Sequence, residues 1–444
     1  MLTDNELNEK KALDLAIRLI GAKTNGLLYS FGRVFQYSDE PKFFQYYAQL
    51  RDQKEKDKPD SVSASGFSFF SQKTAVLKCL FEAIERLALK SIKKENIIFS
   101  AGPNLNKPYI RPTDFASFNK NQRQSNLYFE LKDDSYFGWI LGKELPSLRE
   151  VYVPAQLVYL SYIRRKDESF IRLPISTGAA SGTAYSAALY RGICEVIERD
   201  AFMISYLNKL EGRPINLHNT KNKQIKKILK TAADYNLKVD MFDTTTDLGV
   251  YTFLTTVRDK TGIASALSTG LKCGLNPIDV AIGSLQEAFH PRSWLRGEME
   301  KIKGEKEDLM EPIDLSSRGL LWSKLSTLRN LKFLFNSKKL SKNIDDYLNY
   351  SSGSIKKDLG NVLQTLTNKN YKSYFVDITP TCSKISNSEI KVVMVLIPKL
   401  QPMHLDERYP YLGGTRLFSV PLELGYLKNR NRQYSLNKFP HPFL

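Results

Sequence analysis

Apolar positions recur at three-to-four residue spacing from Thr74 to Ile92 and again from about Ser186 to Leu210, which predicts two long helices. Elsewhere the pattern shifts to alternation or to short β-branched and aromatic runs. These are Glu150-Val-Tyr-Val-Pro-Ala, Leu157-Val-Tyr-Leu-Ser-Tyr-Ile, Leu237-Lys-Val-Asp-Met-Phe, Val250-Tyr-Thr-Phe-Leu-Thr-Thr-Val, Tyr374-Phe-Val-Asp-Ile and Ile390-Lys-Val-Val-Met-Val-Leu-Ile, each predicting a strand. Helices alternating with strands along the chain give an α/β or α+β class. Residues 1–60 read as a variable leading region: a short amphipathic helix, an aromatic segment at Phe43-Phe44-Gln45-Tyr46-Tyr47, and the charged run Arg51-Asp-Gln-Lys-Glu-Lys-Asp-Lys. The main domain is expected over 61–444, with a charged, helix-prone insertion at about 300–350 and a proline-rich tail at 436–444.

Composition narrows the classes. With 444 residues, 42% of them hydrophobic and 25% charged, the chain can bury a large core. Its start is acidic and then amphipathic, and no uninterrupted apolar stretch is long enough to span a bilayer, so neither a signal peptide nor a membrane partner is expected. Cys79, Cys194, Cys273 and Cys382 lie far apart without a CxxC pair, which disfavours a disulfide framework and points to a reducing cytoplasm. His218, His290, His404 and His441 make no ligand-spaced cluster, so no histidine is given a metal role. The net charge of +18 is compatible with an anionic partner. Its basic segments, such as Lys221-Asn-Lys-Gln-Ile-Lys-Lys and Lys338-Lys-Leu-Ser-Lys, read as solvated faces, and no nucleic-acid-reading motif accompanies them.

The most informative feature is an internal echo: Glu82-Ala-Ile-Glu85-Arg86 recurs as Glu195-Val-Ile-Glu198-Arg199, both in helical sequence. Each copy sets two carboxylates and one guanidinium on nearly one helix face. Apolar neighbours such as Cys79, Leu80, Ile193 and Cys194 predict burial, where like charges repel and a cation is needed between them. Magnesium suits such a site, since it favours oxygen ligands and bridges carboxylates to phosphates. The competing reading of a single copy is an ordinary salt-bridged amphipathic helix, and of the pair a structural repeat whose charges stabilise helix packing.

These motifs resemble the YcaO family, whose members carry an ExxER helix twice and use its carboxylates to hold magnesium and ATP. The small-residue loop from Pro174 to Ala184, the run Phe242-Asp-Thr-Thr-Thr-Asp-Leu-Gly-Val, and Asn276 to Arg292 extend the likeness. The resemblance implies that Glu82, Glu85, Glu195 and Glu198 hold Mg2+, and that Arg86, Ser181, Thr183, Arg199, Glu287 and Arg292 bind ATP. The tail Leu436-Asn-Lys-Phe-Pro440-His-Pro442-Phe-Leu444 looks like that of the streptolysin-type, azoline-forming branch. There prolines pre-set an extended tail and Leu444 would deliver a terminal carboxylate as base, with Pro440 and Pro442 shaping its path. The activity implied is ATP-dependent cyclodehydration of Cys, Ser or Thr in a precursor peptide. An E1-like leader-binding partner would assist, a flavin-dependent dehydrogenase would act afterwards, and a homodimer is a further option.

The match departs from the family pattern where Lys78 precedes the first motif and where Ala180, Thr183, Ala187 and Arg191 fall around the second. Ala187 removes a possible metal ligand, while Lys78 and Arg191 add positive charge. A docking scaffold that has lost ATP turnover is therefore a rival reading. Thioamide or amidine formation is another.

Overall fold

A computed structural model describes residues 8–20, 27–50, 62–92, 94–125, 131–132, 134–302, 311–380, 389–426 and 436–444. The charged run at 51–58 and Cys382 lie outside those residues. The principal elements in the first half are α1 (Glu9–Ile20), β1 (Leu28–Arg33), β2 (Phe44–Leu50), β3 (Val62–Ser68), α2 (Gln72–Lys90), β4 (Ile98–Ala101), β5 (Tyr136–Leu145), β6 (Glu150–Pro154), β7 (Ala179–Gly182) and α3 (Tyr185–Leu207). The second half follows with β8 (Ile215–Asn216), α4 (Lys223–Asp234), β9 (Lys238–Asp243), β10 (Tyr251–Arg258), β11 (Leu267–Gly274), α5 (Pro277–Phe289), α6 (Arg292–Lys301) and α7 (Leu315–Trp322). It ends with β12 (Lys342–Asn343), α8 (Ile355–Asn368), β13 (Ser373–Asp377), β14 (Lys391–Leu396) and α9 (Arg416–Glu423). The mixed α/β class expected from periodicity is the class observed. Among the described residues no helix is long and apolar enough to cross a membrane.

The chain forms two compact units, the first comprising 1–35, 43–196 and 352–400, the second 36–42, 197–351 and 401–444. In the first unit β1, β2 and β3 form an antiparallel meander, and a second sheet runs β4-β5-β13-β14-β7 with β6 paired to β5. The Ser71 hydroxyl starts α2 by accepting from the Thr74 N–H at 3.1 Å, supplying a partner that a helix N-terminus otherwise lacks. One face of α2 then buries Ala75, Cys79, Leu80, Ala83, Ile84, Leu87 and Ala88. Described residues of the leading region, namely Leu15, Ala16, Leu27, Tyr46, Ala48 and Leu50, belong to this core.

One expected strand does not form. Leu157 closes a 3-10 turn, and the residues after it bond to the end of α2: Leu160 N–H donates to the Leu89 carbonyl and Ser161 Oγ to the Lys90 carbonyl. Alternation there reflects docking on a helix end, not a ladder.

The second unit repeats the helix–meander–helix order of the first, with α4, then β9-β10-β11, then α5. The central strand β10 is buried from Tyr251 to Val257, Thr252, Thr255 and Thr256 included, which suits its run of β-branched and aromatic residues. In both units the third strand carries a glycine against the following helix. A Cβ on Gly66 would lie 2.1 Å from the Ala75 carbonyl oxygen, and one on Gly270 would lie 2.3 Å from the Ser284 carbonyl oxygen. The region read as an insertion contributes Leu320, Leu321, Trp322, Leu331 and Leu334 to this unit's core, while 303–310 lie outside the described residues.

Candidate functional site

In the first unit one glutamate from each motif, Glu85 and Glu195, comes into electrostatic contact. Glu85 on α2 faces the end of β7, where its Oε2 accepts from both the N–H and the hydroxyl of Ser181, each at 2.9 Å. Glu195 on α3 accepts from the Gly178 N–H at 3.1 Å. The residue Glu85 keeps part of its surface, but its carboxyl is enclosed by protein atoms. That burial, followed by the negative charge of Glu195, pushes its pKa up to about 8, and the Ser181 donors offset only part of the rise. A buried carboxyl held near neutrality by a second carboxylate is an environment in which a cation would be stabilised, so this donor set fits magnesium.

The other motif residues differ among themselves. Glu82 pairs with Arg86 at 2.9 Å on the α2 surface, an i,i+4 bridge with the guanidinium half exposed. In the second unit Glu198 is buried, and its Oε1 accepts from Arg199 Nη1. The Arg199 guanidinium also sits 4.1 Å from the Phe443 ring centroid, which brings the second motif into contact with the C-terminal tail. Ser181 and Thr183 are buried around the entry to α3. Arg191 Nη1 donates to the Ser181 carbonyl at 3.1 Å, Lys78 is exposed, and Ala180 and Ala187 are buried.

Glu287 on α5 accepts from the Leu271 N–H of β11 at 3.3 Å. Arg292 is 1% exposed, and its Nε and Nη2 reach Glu40 at 2.8 and 2.7 Å while Asp259 lies 3.2 Å away. It is committed to an internal ion cluster that no local spacing could foretell, because Glu40 lies 252 residues away in the chain.

The tail is anchored. The Pro440 carbonyl accepts from the Tyr206 hydroxyl at 2.9 Å and from the Trp322 indole at 3.0 Å, and the Pro442 carbonyl accepts from Thr269 Oγ1 at 3.1 Å. Arg318 donates to the His441 carbonyl at 2.9 Å, Phe443 is buried in the unit's core, and Leu444 lies beside Gly319. Proline carries no N–H, so Pro440 and Pro442 offer only carbonyls, and the surrounding donors satisfy them. Sequence spacing also concealed that the tail brings His441 to His404 and Glu407.

Comparison with known proteins identifies the family and the fold. The family model described as YcaO cyclodehydratase, ATP- and Mg2+-binding, matches residues 69–401. An uncharacterised protein of Methanothermobacter thermautotrophicus is 26% identical over 284 residues, covering 63% of this chain and 69% of that one. Among solved structures, a heterocyclase in complex with substrate and cofactor superimposes with a TM-score of 0.81 at 19% identity, over 98% of this chain. The chain thus spans 57% of that heterocyclase. A YcaO protein of Methanopyrus kandleri bound with AMPPCP and Mg2+ gives 0.63 at 16% identity, covering 90% of this chain and 93% of that one. The E. coli microcin synthetase McbBCD complex gives 0.64 at 16% identity, covering 92% of this chain and 96% of that chain. These likenesses establish the shared fold, and the match over residues 69–401 shows that the chain belongs to the YcaO family.

Proposed function

We propose that this chain activates peptide backbone amides with ATP, so that a Cys, Ser or Thr side chain of a ribosomally made precursor closes onto the preceding carbonyl as a thiazoline or oxazoline. The observation that carries the reading is the Glu85–Glu195 pair, a buried acidic site whose negative charge a cation would stabilise. Glu82, Glu85, Glu195 and Glu198 would hold Mg2+, with Arg86 and Arg199 countering phosphate charge. Ser181 and Thr183 would line the nucleotide beside the start of α3, where backbone N–H groups favour anions. When bound, ATP with Mg2+ would supply the phosphoryl group that makes the amide oxygen a leaving group. The chain's own residues fix the carboxylates, while the nucleophile belongs to the peptide.

The anchored tail supports the streptolysin-type assignment, with Leu444 as the base and Pro440 and Pro442 holding the approach to it. An E1-like protein that captures the precursor is the expected partner, and a flavin-dependent dehydrogenase would oxidise the product afterwards. The relatives solved as microcin synthetase complexes, one with pro-MccB17 bound, make a multiprotein setting reasonable. The test combines purified chain, E1-like partner, precursor peptide and ATP-Mg2+. Phosphate release with a peptide lighter by one water per modified residue supports the reading.

A second reading, a docking scaffold without turnover, is favoured by the Arg292 cluster and by Ala187. It predicts partner and peptide binding with no phosphate release. A peptide product carrying sulfur or an amine in place of the amide oxygen would instead indicate thioamide or amidine formation.

A further inference from the structure

His404, Glu407 and His441 each offer one ligand atom, and these atoms lie within 4.8 Å of one another in the second unit. His404 and His441 are 2% and 1% exposed. The His441 Nε2 stands 2.7 Å from the His404 carbonyl oxygen, which can only accept, so that nitrogen carries the proton. A neutral ring then leaves Nδ1 with a bare lone pair. His404 meets the carboxylate through its other ring nitrogen: its Nε2 stands 3.1 Å from Glu407 Oε2. Neither Nδ1 has a hydrogen-bond partner, although each is buried. Leaving a polar atom buried and unpaired costs free energy. The His441 ring, donating from Nε2 to a carbonyl while presenting Nδ1 bare, has the form of a metal-ligating histidine, and His404 Nε2 and Glu407 Oε2 stand as close together as two ligands of one ion.

Two imidazoles and one carboxylate match the preference of zinc and its neighbours, not of magnesium.

We propose that His404, Glu407 and His441 form a transition-metal site, with zinc(II) as the matching cation, that fastens the C-terminal tail to the loop 401–411. Arg318 Nη1 bonds Glu407 Oε1 at 2.6 Å, and its charge opposes a dication and weakens the site. The site is separate in residues and ligand type from the Glu85–Glu195 pair.

The test is equilibrium titration of chelator-stripped protein with Co2+, followed by visible ligand-field absorption, and with Zn2+ against a fluorescent chelator. The Glu85→Gln chain serves as background, because the acidic pair also attracts cations. One ion per chain is expected in that background, with affinity reduced at least ~10-fold by His404→Gln or His441→Gln, the scale of losing even an outer-shell partner. No saturable uptake by the Glu85→Gln chain, or equal affinity in folded histidine variants, overturns the proposal. Should the histidine variants fail to fold, X-ray absorption of Co2+-loaded Glu85→Gln protein decides. Two imidazole nitrogens in the shell support the site and oxygen-only coordination overturns it.

Discussion

Glu85 and Glu195, on two helices distant in sequence, confront each other closely enough that the charge of Glu195 is the second cause, after burial, of the elevated Glu85 pKa. Without a cation the folded chain therefore keeps a proton on Glu85 that the unfolded chain releases in the ordinary carboxylate range. Since the folded state binds more protons there, stability falls as pH rises from about 4.5 to about 8. Thermal melts across that window should show the decline. Glu85→Gln should flatten it, leaving that variant more stable near pH ~8 by on the order of 1–3 kcal/mol. Mg2+ binding to the wild type should release protons near neutrality, detectable as a buffer-dependent heat in calorimetry. A pH profile identical in wild type and variant would show that this carboxyl ionises normally.

Arg292 gives a second test, because its surroundings oppose its expected part in ATP binding. Its guanidinium joins Glu40 through two contacts in a site almost without solvent. Arg292→Met should leave Glu40 and Asp259 buried without their counter-charge, a loss of about 3–5 kcal/mol, and Glu40→Gln should lower the melting temperature in the same direction. Arg292→Lys cannot restore the forked contact. If Arg292 instead serves the nucleotide, its substitution raises the KM for ATP while the melting temperature stays put.

The tail offers a third. Tyr206→Phe deletes one hydroxyl that donates to both the Phe439 and Pro440 carbonyls at 3.0 and 2.9 Å. A cost of about 1–3 kcal/mol is expected, since buried carbonyls lose a donor, and the last residues should become more sensitive to carboxypeptidase. Digestion rates equal to wild type would mean that the Trp322 and Thr269 bonds suffice.

How far the sequence could be read depends on the range of the interactions. Helix α2 was legible because its burial repeats locally, and β10 because its residues are almost all β-branched or aromatic. The echo of Glu82–Arg86 in Glu195–Arg199 led to Glu85 facing Glu195, a pairing of residues that no local pattern connects. Yet the architectural repeat pairs α2 with α5, not with α3, because strand order and the glycine contacts of β3 and β11 are three-dimensional properties that side-chain identity barely records. The Leu157–Ile163 alternation misled since period two describes any extended segment, whether or not a neighbouring strand exists. Arg292 with Glu40, and His404 with His441, depend on chain closure over long separations and left no trace in spacing.

The glycines of the repeated strand–helix contact lead to the last prediction. Gly66 of β3 lies so close to α2 that an added Cβ would meet the Ala75 carbonyl oxygen at 2.1 Å and the Cys79 nitrogen at 2.2 Å, both backbone atoms that cannot swing aside. Gly66→Ala must therefore push helix from sheet, at a cost of at least the ~1–3 kcal/mol typical of overpacking. Gly270→Ala should do the same, since its Cβ would meet the backbone of Ser284 and Ala288 at 2.3 Å. Gly360, inside α8 with nothing within 4 Å of an added methyl, provides the contrast. Gly360→Ala should stabilise by up to about 1 kcal/mol through helix propensity alone. Denaturant melts of the three variants check both signs, and a Gly66→Ala or Gly270→Ala chain as stable as wild type would mean that the helix can withdraw from the strand without loss of packing.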